Sequence, residues 1–375
     1  MKVIFAAGGT GGHINPALAA AGAFKRRNPD AEILFIGTEE HMESRLVPQA
    51  GFDFKTIHIA GFQRKISFQN LIKNIKTLGL IVKSSSETKK IMKDFQPDAV
   101  IGFGGYVSGP VVRTAAKMGI STAIHEQNAF PGVTNKALAK QVDRVMLTVP
   151  QAEKYLSPKN KPIITGLPVR KEIFDADRSF SRAKLGIGED QVLVLSMGGS
   201  LGAKAINENM VEVITALHGD SELYFIHSTG KYGKWVPDRL KENGVPIGVG
   251  TNVSIREYID DMDVCLSAAD LIVSRAGASS LSEIEAVGRA SILIPSPNVA
   301  ENHQYHNAMT LVENEAARVI EEKDLTDGVL LGLVKEMVSD RELLKKYGEN
   351  AKKIAVMNSA ERISEVIEEL VQKQG

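Results

Sequence analysis

One cysteine in 375 residues, Cys265, rules out an internal disulfide, and its setting in Asp263-Val264-Cys265-Leu266 marks a small core residue. Net charge is missing as well. The 45 basic residues balance 45 acidic ones, so no general attraction to nucleic acid is expected. No low-complexity segment interrupts the chain, and 43% apolar with 24% charged residues describes a soluble protein with ample core. Val3 to Phe24 carries no formal charge behind Lys2, but Gly8 to Gly12, His13, Asn15 and Pro16 break its apolar run. No signal peptide, no membrane span and a cytoplasmic chain are therefore expected. The common nucleotide fingerprints are absent too. A G-x-G-x-x-G frame started at Gly9 puts Ile14 where the third glycine belongs, and no lysine near Gly8 to Gly12 completes a P-loop. Lys204 follows the second glycine loop at the wrong spacing. No acidic pair beside either loop is placed for Mg²⁺, so neither a metal nor a cofactor is expected.

What the chain does have is a repeated glycine turn. Val3-Ile4-Phe5-Ala6-Ala7 runs into Gly8-Gly9-Thr10-Gly11-Gly12-His13, and Val192-Leu193-Val194-Leu195-Ser196-Met197 runs into Gly198-Gly199-Ser200-Leu201-Gly202-Ala203. A buried strand, a glycine turn and a helix make a phosphate cradle. Glycine lets the backbone approach the anion, and the helix start supplies free N–H groups with a partial positive charge. A tight turn alone would explain one such loop; two, with flanking hydroxyls at Thr10 and Ser200, favour phosphate binding. They also suggest two similar domains facing a cleft.

Strand and helix patterns alternate throughout, which is the signature of parallel sheets covered by helices. Strands are expected at Val3–Ala7, Glu32–Ile36, Phe54–Ile59, Ala99–Gly102, Thr122–His125 and Arg144–Thr148, with helices at Pro16–Arg27 and Gly109–Met118. The interdomain connection is placed in Lys161–Arg170. Strands at Val192–Met197, Glu222–His227, Val253–Tyr258, Leu271–Ser274 and Ser291–Ile294 follow, then helices at Asp327–Val338, Glu342–Ile354 and Ala360–Gln372. The expected division is 1–165, 166–345 and 346–375.

Four polar clusters follow strands, where open parallel sheets bind their ligands. They are Gly104-Gly105-Tyr106-Val107-Ser108-Gly109-Pro110, His125-Glu126-Gln127-Asn128, Arg275 to Glu283, and Glu301 to Ala308. Hydroxyls and N–H groups at a helix start suit phosphate. Glu283 stands where a carboxylate accepts two hydrogen bonds from a vicinal diol. An ordinary N-terminal cap with a favourable acidic residue would also account for Ser280 and Glu283. Phosphate donors, a diol acceptor and amides are the parts needed for a nucleotide-sugar.

In this order the motifs resemble the MurG family of N-acetylglucosaminyltransferases over nearly the whole chain. They are Gly8 to His13 with Pro16, Gly104 to Pro110, His125 to Asn128, Gly198 to Gly202, and Arg275 to Glu283 with Gln304, Asn307 and Ala308. The resemblance implies a GT-B fold of two Rossmann-like domains, with the last helix returning to the first domain. It implies inverting, metal-independent transfer of GlcNAc from UDP-GlcNAc to the C4 hydroxyl of undecaprenyl-pyrophosphoryl-MurNAc-pentapeptide. Thr10, Gly11, Gly12, Asn128, Arg170, Ser200, Ile259, Ala278, Ser279, Ser280, Leu281, Ser282, Glu283 and Gln304 would then contact the donor. Glu283 would hold the ribose diol, Ser200 the pyrophosphate and Gln304 the sugar hydroxyls. His13 would be the general base, with Glu126 and Tyr106 assisting in the acceptor site. Leu167, Leu201 and His303 depart from the family's usual asparagine, glutamine and glutamine.

One stretch lacks charge of one sign. Phe54 to Ser86 has no acidic residue but carries Lys55, Arg64, Lys65, Lys73, Lys76 and Lys83 among apolar side chains. An anionic membrane surface is the expected partner, with the protein peripheral on its cytoplasmic face. Other GT-B transferases, a UDP-GlcNAc 2-epimerase and a nucleotide-sugar-binding regulator without turnover remain as rivals.

Overall fold

The computed structural model describes residues 1–59 and 83–372. The chain divides into two compact units, Met1–Pro168 with Asn358–Gly375, and Val169–Met357. In chain order the first unit contains β1 (Lys2–Ala6), α1 (Gly11–Arg27), β2 (Glu32–Gly37), α2 (Glu43–Gln49) and β3 (Asp53–Thr56). Helix α3 (83–95), β4 (Ala99–Gly102), α4 (Gly105–Lys117), β5 (Ser121–Glu126), α5 (Val133–Ala139), β6 (Arg144–Leu147) and β7 (Ile163–Ile164) complete its run to the boundary. Their parallel sheet has the order β3-β2-β1-β4-β5-β6-β7.

The second unit contains α6 (Lys171–Asp175), α7 (Arg178–Leu185), β8 (Val192–Met197), α8 (Lys204–Leu217), β9 (Leu223–Ser228), α9 (Val236–Glu242) and β10 (Val253–Arg256). It continues with α10 (Met262–Ala268), β11 (Leu271–Ser274), α11 (Ala278–Val287), β12 (Ala290–Leu293), α12 (His303–Glu313), β13 (Ala317–Val319), α13 (Val329–Ser339) and α14 (Arg341–Ile354). Its parallel sheet has the order β10-β9-β8-β11-β12-β13. Both sheets are doubly wound. The strand order reverses between β1 and β4 in one and between β8 and β11 in the other, and ligands of such sheets bind at that switch point.

The central strands β1 and β8 are almost continuously apolar because both faces are covered. Val3 and Phe5 pack with α1 on one side, while Ile4 and Ala6 pack with Val107 and Val111 of α4 on the other. Helix α15 (Ser359–Gln372) joins the first of these layers through Ile363, Val366, Ile367 and Leu370, a stripe at helical spacing. Glu368 on the same helix accepts from Arg27 Nε at 2.9 Å and from Asn28 Nδ2 at 2.8 Å.

Several boundaries differ from the sequence expectation. Helix α1 begins at Gly11 and α4 at Gly105, earlier than the expected starts at Pro16 and Gly109, so Pro16 and Pro110 lie inside helices. Glycine is penalised in a helix interior, but the first turn has no intrahelical donors to lose. The glycine turn and the helix start are therefore the same residues. Strands β3 and β10 end at Thr56 and Arg256, short of Ile59 and Tyr258, because their partners β2 and β9 end opposite them. The edge strand β13 had no expectation. The basic stretch from Arg64 to Lys76 lies outside the described residues.

Candidate functional site

In the first unit the loops after β1 and β4 are pressed together at the switch point. Gly105 has φ +75, and a Cβ there would lie 2.3 Å from the Gly8 carbonyl oxygen. Gly104 has φ +98, and a Cβ there would lie 2.7 Å from His13 Nδ1. Only glycine satisfies both the left-handed backbone and the close approach. Ser108 ties this corner to the sheet, accepting from the Gly104 N–H at 3.0 Å and donating to the Ala6 carbonyl at 2.8 Å. Thr10 precedes α1 without a side-chain cap bond.

His13 is half-buried in this corner, and its Nδ1 lies 3.1 Å from Gln127 Oε1. Burial lowers its pKa, outweighing its hydrogen bonds to Gln127 and the Phe103 carbonyl, so the ring is neutral at neutral pH. Tyr106 is held from the other side. Burial is the main cause raising its pKa, and the Thr38 side chain hydrogen-bonds it. Glu126 is buried with each oxygen accepting twice. Oε1 takes Asn128 N at 2.9 Å and Asn128 Nδ2 at 3.3 Å. Oε2 takes Gly132 N at 3.0 Å and Asn135 Nδ2 at 2.9 Å. Through those bonds Glu126 shapes the loop that carries Asn128.

In the second unit the glycine loop leans the other way. Gly202 has φ +82, and a Cβ there would meet the Thr229 carbonyl oxygen at 2.1 Å, so this loop rests on the turn after β9. The switch-point side is left open: a Cβ at Gly199 or Gly277 would meet nothing within 4 Å. The hydroxyls of Ser200, Ser279 and Ser280 have no hydrogen-bond partner among the described residues. The first turns of α8 and α11 carry no acidic residue to compete for their N–H groups. Glu283 lies 3.5 Å from Arg170. Burial raises the Glu283 pKa and Arg170 opposes that, so two residues expected to hold different parts of the donor pair with each other here. Gln304 Oε1 accepts from Ser296 N at 2.9 Å, which leaves its amide N–H groups as what it presents. Ile259 and Leu281 are buried in the core of the second unit.

Sequence reasoning passed over Glu43. It sits in an acidic surface-like stretch, yet it is fully buried and accepts from Gly9 N at 3.2 Å and Thr38 Oγ1 at 2.6 Å. Asn307 was noticed only as part of a motif. It donates to the Ala276 carbonyl at 3.2 Å and so anchors the turn before α11. Among the described residues, no group of three or more His, Cys, Asp or Glu side chains is arranged to hold a metal. Among them, too, no helix is long and apolar enough to cross a membrane.

The N-terminal domain of glycosyltransferase family 28 matches residues 3–147, and its C-terminal domain matches residues 193–367. The chain is 46% identical to the UDP-N-acetylglucosamine–N-acetylmuramyl-(pentapeptide) pyrophosphoryl-undecaprenol N-acetylglucosamine transferase of Acetivibrio thermocellus, covering all of this chain and 99% of that one. The Desulforamulus reducens protein of the same name is 42% identical over all of both chains. The crystal structure of Acinetobacter baumannii MurG is 29% identical, covers 98% of this chain and 99% of its own, and superposes with a TM-score of 0.80. Two glycosyltransferase family 28 domains on two doubly wound sheets, matched end to end by relatives of one name, place the chain in the MurG family of glycosyltransferases.

Proposed function

We propose that this enzyme transfers N-acetylglucosamine from UDP-N-acetylglucosamine to the C4 hydroxyl of undecaprenyl-pyrophosphoryl-N-acetylmuramyl-pentapeptide, with inversion and without a metal. The observation that carries the reading is full-length identity of 46% to a relative named for this transfer. The second unit is assigned the donor. Ser200 and the starts of α8 and α11 take the pyrophosphate, Ser279 to Glu283 take the ribose end, and Gln304 donates to the sugar. The open glycine loop and the unpartnered hydroxyls support that assignment.

The first unit is assigned the acceptor and the base. The acceptor oxygen attacks the anomeric carbon, and the bond from that carbon to the diphosphate oxygen breaks. Its electron pair leaves with UDP, and the hydroxyl proton passes to a ring nitrogen of His13. A neutral imidazole at that position contributes about 10²–10⁴-fold to the rate. N–H donors and Arg170 stabilise the charge gathering on the departing diphosphate. UDP release measured with and without the lipid acceptor tests the reaction. Acceptor-dependent release supports transfer, whereas consumption of UDP-N-acetylglucosamine with no acceptor product points to epimerase chemistry.

Attachment to the cytoplasmic face of the membrane rests on the stretch from Phe54 to Ser86, six basic residues with no acidic one. At about 1 kcal/mol for each basic residue near an anionic leaflet, half of them facing lipid give roughly 3 kcal/mol, enough for reversible attachment. Charge reversal of Arg64, Lys65 and Lys73 should lower binding to vesicles containing phosphatidylglycerol; unchanged binding ends the proposal.

A further inference from the structure

We propose that Gln127 is a positioning residue that holds His13 in the Nδ1–H tautomer and so makes Nε2 the atom that takes the acceptor proton. The inference rests on His13 as the base and says which nitrogen acts, and why. Gln127 Nε2 lies 2.8 Å from the Phe103 carbonyl oxygen and 3.2 Å from the His125 carbonyl oxygen. Carbonyl oxygens only accept, so the amide nitrogen must face them and the amide oxygen must face the other way. That oxygen is the atom 3.1 Å from His13 Nδ1. An amide oxygen also only accepts, so Nδ1 carries the hydrogen and Nε2 keeps the lone pair.

His125 completes the chain of assignments. Its Nε2 lies 2.9 Å from the Gly166 carbonyl oxygen and must donate to it, which leaves Nδ1 as an acceptor facing Gln127 Nε2 at 3.2 Å. Burial pushes the His125 pKa down to about 4, so this arrangement persists across the neutral range. His125 also stacks on Phe103 with ring centroids 5.2 Å apart, and this holds the Phe103 carbonyl and the imidazole in one frame. The hydrogen bond that His13 makes to another side chain among the described residues is the one from Nδ1 to Gln127; the Phe103 carbonyl beside it also accepts from the Gln127 amide nitrogen. With Nδ1 as the donor on this side, Nε2 is the ring atom that keeps a lone pair. Holding the wrong tautomer lowers kcat by up to about 10⁴-fold in a catalytic triad.

The test uses the full chain labelled with ¹⁵N-histidine, reading both ring nitrogens of His13 above its pKa. The wild type should show hydrogen on Nδ1 and none on Nε2. Gln127→Met keeps the volume and removes the amide. It should move the hydrogen toward Nε2 and lower kcat by at least about tenfold, with the affinity for UDP unchanged. A wild-type ring protonated on Nε2, or a Met variant that keeps the tautomer and the rate, overturns the proposal. Should Gln127→Met fail to fold, Gln127→Glu serves. Its carboxylate still accepts from Nδ1–H and favours the imidazolium, so the acid limb of kcat/KM should move to higher pH; an unmoved limb overturns the proposal. His13→Ala separates the two ideas. Retained turnover there removes the base assignment, while the ¹⁵N pattern of the wild type still reports on Gln127.

Discussion

The two units share a sheet and a glycine turn but treat the switch point in opposite ways. In the first, Gly105 closes on Gly8, and the polar side chains behind that contact are engaged with one another from Gly166 to His13. In the second, the turn rests on Thr229, away from the switch point, and Ser200, Ser279 and Ser280 remain unpartnered among the described residues. The difference fits the roles proposed for the two units. A base works only when one atom is presented in one orientation, which requires its neighbours to be satisfied by the protein. A diphosphate site works through donors held ready for a ligand, which requires them to be left unsatisfied by it.

The largest expected effect breaks the shared device. Gly105→Ala and Gly202→Ala each drive a Cβ onto backbone, at 2.3 Å and 2.1 Å, from a left-handed conformation. Each should cost about 3 kcal/mol or more in urea unfolding. Gly277→Ala, with φ −70 and open space around it, should stay within about 1 kcal/mol of wild type. Equal losses at all three sites would erase the distinction between closed and open loops.

Next comes the division of labour in catalysis. His13→Ala should lower kcat by about 10²–10⁴-fold with little change in donor KM. Arg170→Ala should raise donor KM and lower kcat by only about tenfold, since its guanidinium is exposed and screened. A loss below tenfold in a folded His13→Ala variant would remove the residue from the base role.

The smallest effect is on stability in acid, where each unit holds one fully buried neutral histidine, His125 and His227, both with pKa pushed down to about 4 by burial. The unfolded chain binds these protons near pH 6.5 and the folded one does not. Stability is therefore full above pH 6.5, falls as pH drops from 6.5 toward 4 and levels off below 4, with about 2 kcal/mol per histidine lost by pH 5. His125 is partnered at both ring nitrogens, whereas His227 has Nδ1 on Ser196 at 2.7 Å and Nε2 buried without a partner. His227→Gln should lose less stability between pH 7 and pH 5 than wild type does; an identical loss would show that His227 is not the source.

Much of this was legible from the chain because the signals are local. Val3 to Ala7 and Val192 to Met197 are unbroken apolar runs ended by glycine, and such runs become central parallel strands with loops at the switch point. The clusters at Gly104, His125 and Arg275 were found because each lies at the C-terminal end of a strand. What stayed hidden depends on contacts between distant residues. Nothing around Glu43 announces a buried carboxylate holding the Gly9 N–H, since its burial is created by packing beside Gly8 and Gly37. The direction of the Gln127 amide is set by Phe103, a residue 24 positions away. The helix starts at Gly11 and Gly105 were missed because propensity disfavours glycine in the very turn where its exposed N–H groups are needed.

Isothermal titration of UDP into the wild type, Glu283→Ala and His13→Ala tests the division between donor unit and base unit most directly. Loss of a charged acceptor of diol hydrogen bonds should weaken UDP by at least about tenfold in Glu283→Ala, while His13→Ala binds as wild type does. Normal UDP affinity in Glu283→Ala together with lost affinity in His13→Ala would contradict the account.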